Sequence, residues 1–303
     1  MKASGIFVAY IAALFLAGAA LEYPVYRLAN LFTATSYYTF SGRLVLPLGA
    51  LTLYFFLRAR NLSNAQALGY AVPWRTFIRF VVTGFGAGIL IMIPLLALML
   101  GLEIRVPAGD LQRILTAAGP AFFDGLVSGL LVGLIEETFF RGAMYTEVER
   151  ESRMWWAILA TSALYAVVHF VDTKYRIPVE ELNWWSGFVI LGHSFDAFTQ
   201  PSRVIDSLLA LFAVGIFLAC SRASSGHIAY CIGLHAGWVT TIRVAHRTSH
   251  ENPDSALSWM TGSFDGIIGY LAFAWLILLA IVIFNPLLRQ HGEATGRATQ
   301  EDG

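Results

Sequence analysis

Long apolar stretches recur along the chain, separated by short polar or aromatic-rich connections. A membrane-spanning helix needs about 20 mainly apolar residues. Stretches that fit lie near 5–21, 43–58, 77–101, 118–147, 154–171, 204–220, 226–242 and 264–284. The pattern predicts an all-α, polytopic membrane protein of about eight transmembrane helices in one bundle. The first stretch follows Lys2 and ends in small residues, as a signal peptide would. Tyr23, Pro24 and Tyr26 come directly after it, and many further stretches follow, so an uncleaved first helix is expected. Residues 172–203 read as a long connection at the membrane–water interface, marked by Trp184 and Trp185. Residues 1–290 are expected to form a single membrane domain, with 291–303 a disordered polar tail.

Composition sharpens this picture. Hydrophobic residues make up 57% of the 303 and charged residues only 13%, against about 25% charged in soluble domains. A balance of 20 basic and 20 acidic residues gives no basic surface for nucleic acid. Cys220 and Cys231 both sit in apolar surroundings and are expected to be inert packing residues. With the N-terminus inside, eleven Lys/Arg fall on the inner side and nine on the other. The basic 58–79 loop then favours cytoplasmic termini under the positive-inside rule.

Ionisable residues inside apolar helices need a reason, because each costs about 2.5–3.5 kcal/mol at a helix centre. Glu136, Glu137 and Arg141 interrupt the fourth stretch. Gly125, Gly129, Gly133, Glu137 and Arg141 recur every four residues, a stripe on which another helix can approach closely. Glu137 and Arg141 form an i,i+4 pair with the acid N-terminal, the better orientation. Glu137 is thus expected to be structural. Glu136, about 100° round the helix, is the candidate for chemistry. A helix ending at 135 would leave all three solvated, but apolar Phe139, Phe140, Met144 and Val148 continue the pattern.

The fifth stretch carries Ser162, Tyr165, His169 and Asp172 at spacings of three and four. Asp172 is placed to fix the His169 tautomer. The charged cluster 147–153 is the natural turn of a hairpin joining the fourth and fifth stretches. Glu136 and His169 are equidistant from its centre at 152.5, so they should lie at one depth. In the seventh stretch His235 stands between Gly233 and Gly237, open to close approach. The remaining histidines read as solvated.

A glutamate with two histidines supports two chemistries. In one, Glu136 is general base on a water that attacks a peptide carbonyl, with the histidines aiding. In the other, Glu136, His169 and His235 hold one zinc ion with an open water position. The sequence lacks HExxH, its GLVSG at 125–129 only approaches a serine motif, and no pair of membrane aspartates is present. A proton-coupled transporter using the same ionisable groups is the alternative from another class.

These residues resemble the CPBP group of CaaX proteases and bacteriocin-processing enzymes, also called the Abi family, whose motifs are EExxxR, FxxxH and HxxxN. Glu136-Glu137-Thr138-Phe139-Phe140-Arg141 is the first intact; Tyr165 to His169 is the second with tyrosine for phenylalanine; His235 to Val239 is the third with valine for asparagine. The resemblance covers about 120–242. It implies an intramembrane endopeptidase acting on a membrane-tethered peptide or protein, as in CaaX C-terminal or bacteriocin-type processing. Its prokaryotic members point to a bacterial inner membrane and are commonly described as metalloproteases. Carried over, Glu136 activates water, His169 assists, His235 serves the oxyanion, and Glu137 and Arg141 hold the helix. Val239 removes an oxyanion donor, so a non-catalytic immunity or scaffold member of the same family is the further alternative.

Overall fold

In a computed structural model, each of the eight apolar stretches falls on a helix. The structure describes residues 2–41, 43–171, 175–262 and 265–301, with no side-chain description at 203 or from 286 onward. The helices are α1 (Lys2–Ala29), α2 (Val45–Ala59), α3 (Trp74–Gly101), α4 (Leu111–Glu137), α5 (Tyr145–Glu151), α6 (Met154–Val168), α7 (Ser186–His193), α8 (Ile205–Ser225), α9 (Ala229–Thr248) and α10 (Tyr270–Glu301). The only sheet among the described residues is an antiparallel pair, β1 (Arg105–Pro107) with β2 (Ser249–Glu251). The protein is all-α in class.

Four helical runs are long and apolar enough to cross a membrane: 2–29, 74–101, 111–151 and 205–225. Three shorter apolar helices cover 45–59, 154–168 and 270–285. Large apolar side chains on the outside, such as Phe55, Leu90, Val127, Leu131 and Val282, are more than half exposed, the surface expected against lipid rather than water. By contrast α9 is buried along most of its length, between α3 and α4. Flanked by protein, it tolerates polar residues that a lipid-facing helix would not.

Small residues permit that close packing. A Cβ at Gly125 would come within 2.7 Å of the Thr240 Cα, and one at Gly129 within 3.0 Å of the Ala236 Cα. On the other flank a Cβ at Gly88 would lie 2.6 Å from the Leu234 carbonyl oxygen. α9 is therefore held at backbone distance on both sides.

The α4 run departs from the expected boundaries in an instructive way. It starts at Leu111 rather than 118, because the Asp110 side chain accepts from the Arg113 N–H at 2.9 Å and caps it. Residues Thr138–Met144 then form a π-helical segment before α5, a feature often found at functional sites. The run ends at Ser152, whose extended backbone (φ −146°, ψ −152°) breaks the helix, and α6 starts at Met154. The turn thus falls at 152–153, inside the charged cluster.

Several contacts define the two ends of the bundle. At one end the Ala3 N–H donates to Glu151 (2.8 Å) and Arg60 pairs with Glu147. At the other, buried Arg105 donates to the Ser249 hydroxyl, the Ser249 carbonyl and the Gly266 carbonyl at 2.9–3.0 Å. Residues 175–202 also lie at this second end, where the Tyr38 hydroxyl donates to the Ile177 carbonyl (2.7 Å). They contain the short helix α7, which packs on α1. The helix α10 runs from Tyr270 through Glu301.

Candidate active site

Glu137 and Arg141 are fully buried, which rules out a helix ending at 135 with solvated charges. Arg141 Nη1 donates to Glu137 Oε1 at 3.2 Å, and Nη2 to the Gly215 carbonyl at 3.3 Å. The guanidinium also lies 4.5 Å from the Tyr165 ring centroid and 5.6 Å from that of Phe140. Buried between two rings and a carboxylate, its charge is neutralised in a low-dielectric setting. Glu137 Oε1 has a second partner that sequence reasoning missed: His235 Nδ1, at 3.0 Å. No sequence spacing links residues 98 apart; only the packing of α9 on α4 brings them together.

The two histidines are each held through one nitrogen. His235 is buried, with Nδ1 against the Glu137 carboxylate. A carboxylate only accepts, so Nδ1 carries the proton. His169, which ends α6, has Nδ1 2.7 Å from the Tyr165 carbonyl. That carbonyl also only accepts, so Nδ1 is protonated there too and Nε2 keeps a free lone pair. The helix backbone thus fixes the tautomer; Asp172, expected to do so, lies outside the described residues.

Glu136 Oε2, like Glu137 Oε2, is buried with no hydrogen-bond partner among the described residues; the two differ in that Glu137 Oε1 is held by Arg141 and His235. The Glu136 carboxylate interacts electrostatically with both Tyr165 and His235. Glu136, Tyr165, His169 and His235 line one cavity of about 340 Å³. Trp238 and Val239 also line it, while Arg243, His246 and Asp265 stand toward the end of the bundle that carries Arg105. A second, mainly apolar cavity of about 280 Å³ meets Glu136 and His169 from the opposite side, between α1, α2, the π segment and α6. Glu136 and His169 thus form a polar partition between two chambers.

Three of the four expected supporting residues lie among the described residues. Tyr165 is in the cavity wall, while Glu137 and Arg141 lie behind it and hold His235. Of the groups that might replace the missing asparagine, Thr240 is committed: its hydroxyl donates to the Ala236 carbonyl at 2.7 Å. Arg243 does line the cavity, two turns beyond His235. Two histidines read as solvated are not simply so. His227 is buried against the Phe80 ring, 4.4 Å between centroids, and His246 borders the cavity, its Nε2 on the Asp265 carbonyl.

Among the described residues no three His, Cys, Asp or Glu side chains are grouped to hold a metal ion, so no zinc site is assembled among them.

Residues 118–241 match the family described as type II CAAX prenyl endopeptidase Rce1-like. The match runs from within α4 to within α9 and contains every side chain of the polar partition. The long apolar helices mark the chain as an integral membrane protein, similar over this segment to CAAX-type membrane proteases. No curated protein and no solved structure matches the chain.

Proposed function

We propose that the chain is an intramembrane endopeptidase that hydrolyses a peptide bond in a membrane-tethered peptide or protein through a glutamate-activated water. The observation that carries the reading is the shared cavity: one unpartnered buried carboxylate oxygen and two oriented imidazoles, all from helices inside the bundle. Glu136 takes a proton from the water as it attacks the carbonyl carbon. His169, with Nδ1 fixed on the Tyr165 carbonyl, has Nε2 free to position that water and to relay the proton to the leaving amine. His235, as an imidazolium with Nδ1–H on Glu137, donates its Nε2–H to the developing oxyanion. Glu137 and Arg141 keep that ring in place and do not touch the substrate.

Four long and three shorter apolar helical runs, with α9 buried between α3 and α4, support a reading of about eight crossings. The near end holds the N-terminus, Arg60 and the 152–153 turn. We assign that end, and both termini, to the cytoplasmic side of a bacterial inner membrane on the strength of its basic loop.

The test is cleavage of a membrane-tethered, internally quenched peptide by the full chain in proteoliposomes. Glu136→Ala and His169→Ala are expected to abolish turnover while inserting and purifying like the parent. Intact turnover in both would reject the mechanism. Val239, without a donor where relatives of this motif carry asparagine, favours a second reading as a non-catalytic member. A biological role that survives Glu136→Ala would support it.

A further inference from the structure

We propose that the lipid-facing groove between α3, α8 and α10 binds one anionic glycerophospholipid, with an acyl chain in the groove and the phosphate on Arg75 and Arg79. The site lies outside the catalytic cavity and does not depend on the peptidase reading above.

The groove has a volume of about 310 Å³. Leu90 and Ile283 form its lips and are at least half exposed, so it opens outward toward lipid. Its inner end is closed where Trp275 Nε1 donates to the Ile91 carbonyl at 2.8 Å and joins α10 to α3. Its outer end is at Ser224 and Tyr230, beside the turn from α8 to α9. The lining runs from Phe217 to Ser224 on α8 and from Trp275 to Phe284 on α10, about 11 and 14 Å at about 1.5 Å per residue. One leaflet of the hydrocarbon core is about 15 Å deep, half of about 30 Å. The groove therefore matches the depth of one leaflet, the one at the end that holds the N-terminus. Its two serines donate to their own helix, at the Phe217 and Cys220 carbonyls, both at 2.8 Å. Over this depth the wall suits a hydrocarbon chain.

What stands above the outer end sets the headgroup. Arg79 precedes Leu90 by eleven residues on α3, about three turns, so the two share a face of that helix. Arg75 is one turn further out. The Phe80 ring lies 4.4 Å from that of His227, which puts this part of α3 level with the α8–α9 turn, above the groove. Both arginines are exposed, and neither makes an ion pair among the described residues. The acids at this end are engaged elsewhere, Glu147 by Arg60 and Glu151 by the Ala3 N–H. A guanidinium holds phosphate oxygens in a bidentate grip, and paired basic residues at a membrane surface favour anionic over zwitterionic lipid. The Tyr230 hydroxyl in the groove wall also has no hydrogen bond among the described residues and suits an ester or phosphate oxygen. Trp74, 72% exposed, stands beside Arg75 as an interfacial anchor. On the inner side of α10, Leu276 lines the catalytic cavity, so the seated lipid backs a helix that walls it.

The experiment titrates the delipidated full chain in detergent micelles with dioleoyl phosphatidylglycerol or dioleoyl phosphatidylcholine and counts bound lipid by native mass spectrometry. The first phosphatidylglycerol is expected to bind about tenfold more tightly than the first phosphatidylcholine. Arg75→Gln with Arg79→Gln brings the two lipids level. Ala87→Phe, which fills the groove, removes the tight phosphatidylglycerol, whereas Gly86→Phe, outside the lining and with nothing within 4 Å of an added Cβ, keeps it. Equal affinity for the two lipids in the parent overturns the site, and so does an Ala87→Phe protein that binds phosphatidylglycerol like the parent. A dimer that Ala87→Phe converts to monomer, with lipid binding unchanged, gives the groove to a second copy of the chain and also overturns it. The two arginines are exposed, so their double variant decides the question even if Ala87→Phe fails to insert: a preference that survives it removes the proposal.

Discussion

Two adjacent glutamates with opposite fates give the sharpest test of the site. Glu137 Oε1 accepts from Arg141 at 3.2 Å and from His235 at 3.0 Å, and both acid and arginine are fully buried. Hydrogen bonds to charged groups contribute about 1.5–3 kcal/mol each, which puts the pair of them at about 3–6 kcal/mol. Removing one member of a buried ion pair costs about 3–5 kcal/mol, because the other charge is stranded. Glu137→Ala is therefore expected to destabilise the fold by about 3–5 kcal/mol. Glu136 has a buried oxygen with no partner, so Glu136→Ala removes an unsatisfied group and should shift stability by less than about 1 kcal/mol, while abolishing cleavage. The assay is equilibrium unfolding in mixed micelles titrated with SDS, read by circular dichroism, beside the quenched-peptide assay.

A double variant separates charge from packing. Glu137→Leu with Arg141→Met removes both charges at similar volume, and such replacements are often neutral or stabilising. It is expected to regain most of the stability lost in Glu137→Ala but not the cleavage, since His235 loses its anchor. The reasoning fails if Glu137→Ala unfolds at the same SDS fraction as the parent. It fails equally if Glu136→Ala is the less stable of the two single variants.

Three further outcomes follow from the same geometry. Val239→Asn restores a donor one turn beyond His235 and should raise kcat by about 100–1,000-fold with little change in KM, since one oxyanion donor is worth about 2.7–4 kcal/mol; an unchanged kcat would remove the oxyanion role from this edge of α9. Gly129→Leu should cost about 1–3 kcal/mol by forcing α9 off α4, whereas Gly86→Leu, with nothing within 4 Å of the added Cβ, should be close to neutral in the same SDS titration. Arg105→Met deletes three buried hydrogen bonds that tie β2 and Gly266 beside the cavity mouth, at an expected cost of about 2–4 kcal/mol; a midpoint equal to the parent's would show that the clasp is slack.

Periodicity carried much of the architecture because lipid demands it. A spanning segment has to be long and apolar wherever it lies, so α1, α3, α4 and α8 declare themselves in hydropathy alone. The turn at 152–153 was legible for a related reason: five charges in seven residues do not belong in hydrocarbon. Local spacing also identified the Glu137–Arg141 pair, since i,i+4 geometry is a property of one helix. What stayed hidden depends on contacts between distant segments. The His235–Glu137 bond joins α9 to α4 across 98 residues, and the π segment follows from how residues 138–144 settle against their neighbours. Gly142, for instance, meets the Leu68 carbonyl, so that a Cβ would lie 2.9 Å away. Burial of His227 was equally unreadable, because a histidine in a turn looks solvated until Phe80 covers it.

Two consecutive carboxylates solve a problem that one could not. A general base in a membrane must keep an oxygen free of fixed donors, yet an unpaired carboxylate in low dielectric destabilises the helix that carries it. Successive residues on a helix point about 100° apart, so one position faces the packed interior while the next faces the cavity. Glu137 takes the interior, collects Arg141 and His235, and makes the local charge an asset for packing. Glu136 is left with the cavity, where water can reach it in place of a fixed partner. The arrangement predicts that moving the chemistry to the other acid is impossible: an enzyme with Glu136→Gln has its remaining carboxylate locked behind the wall, and no change of pH that spares the fold should recover turnover.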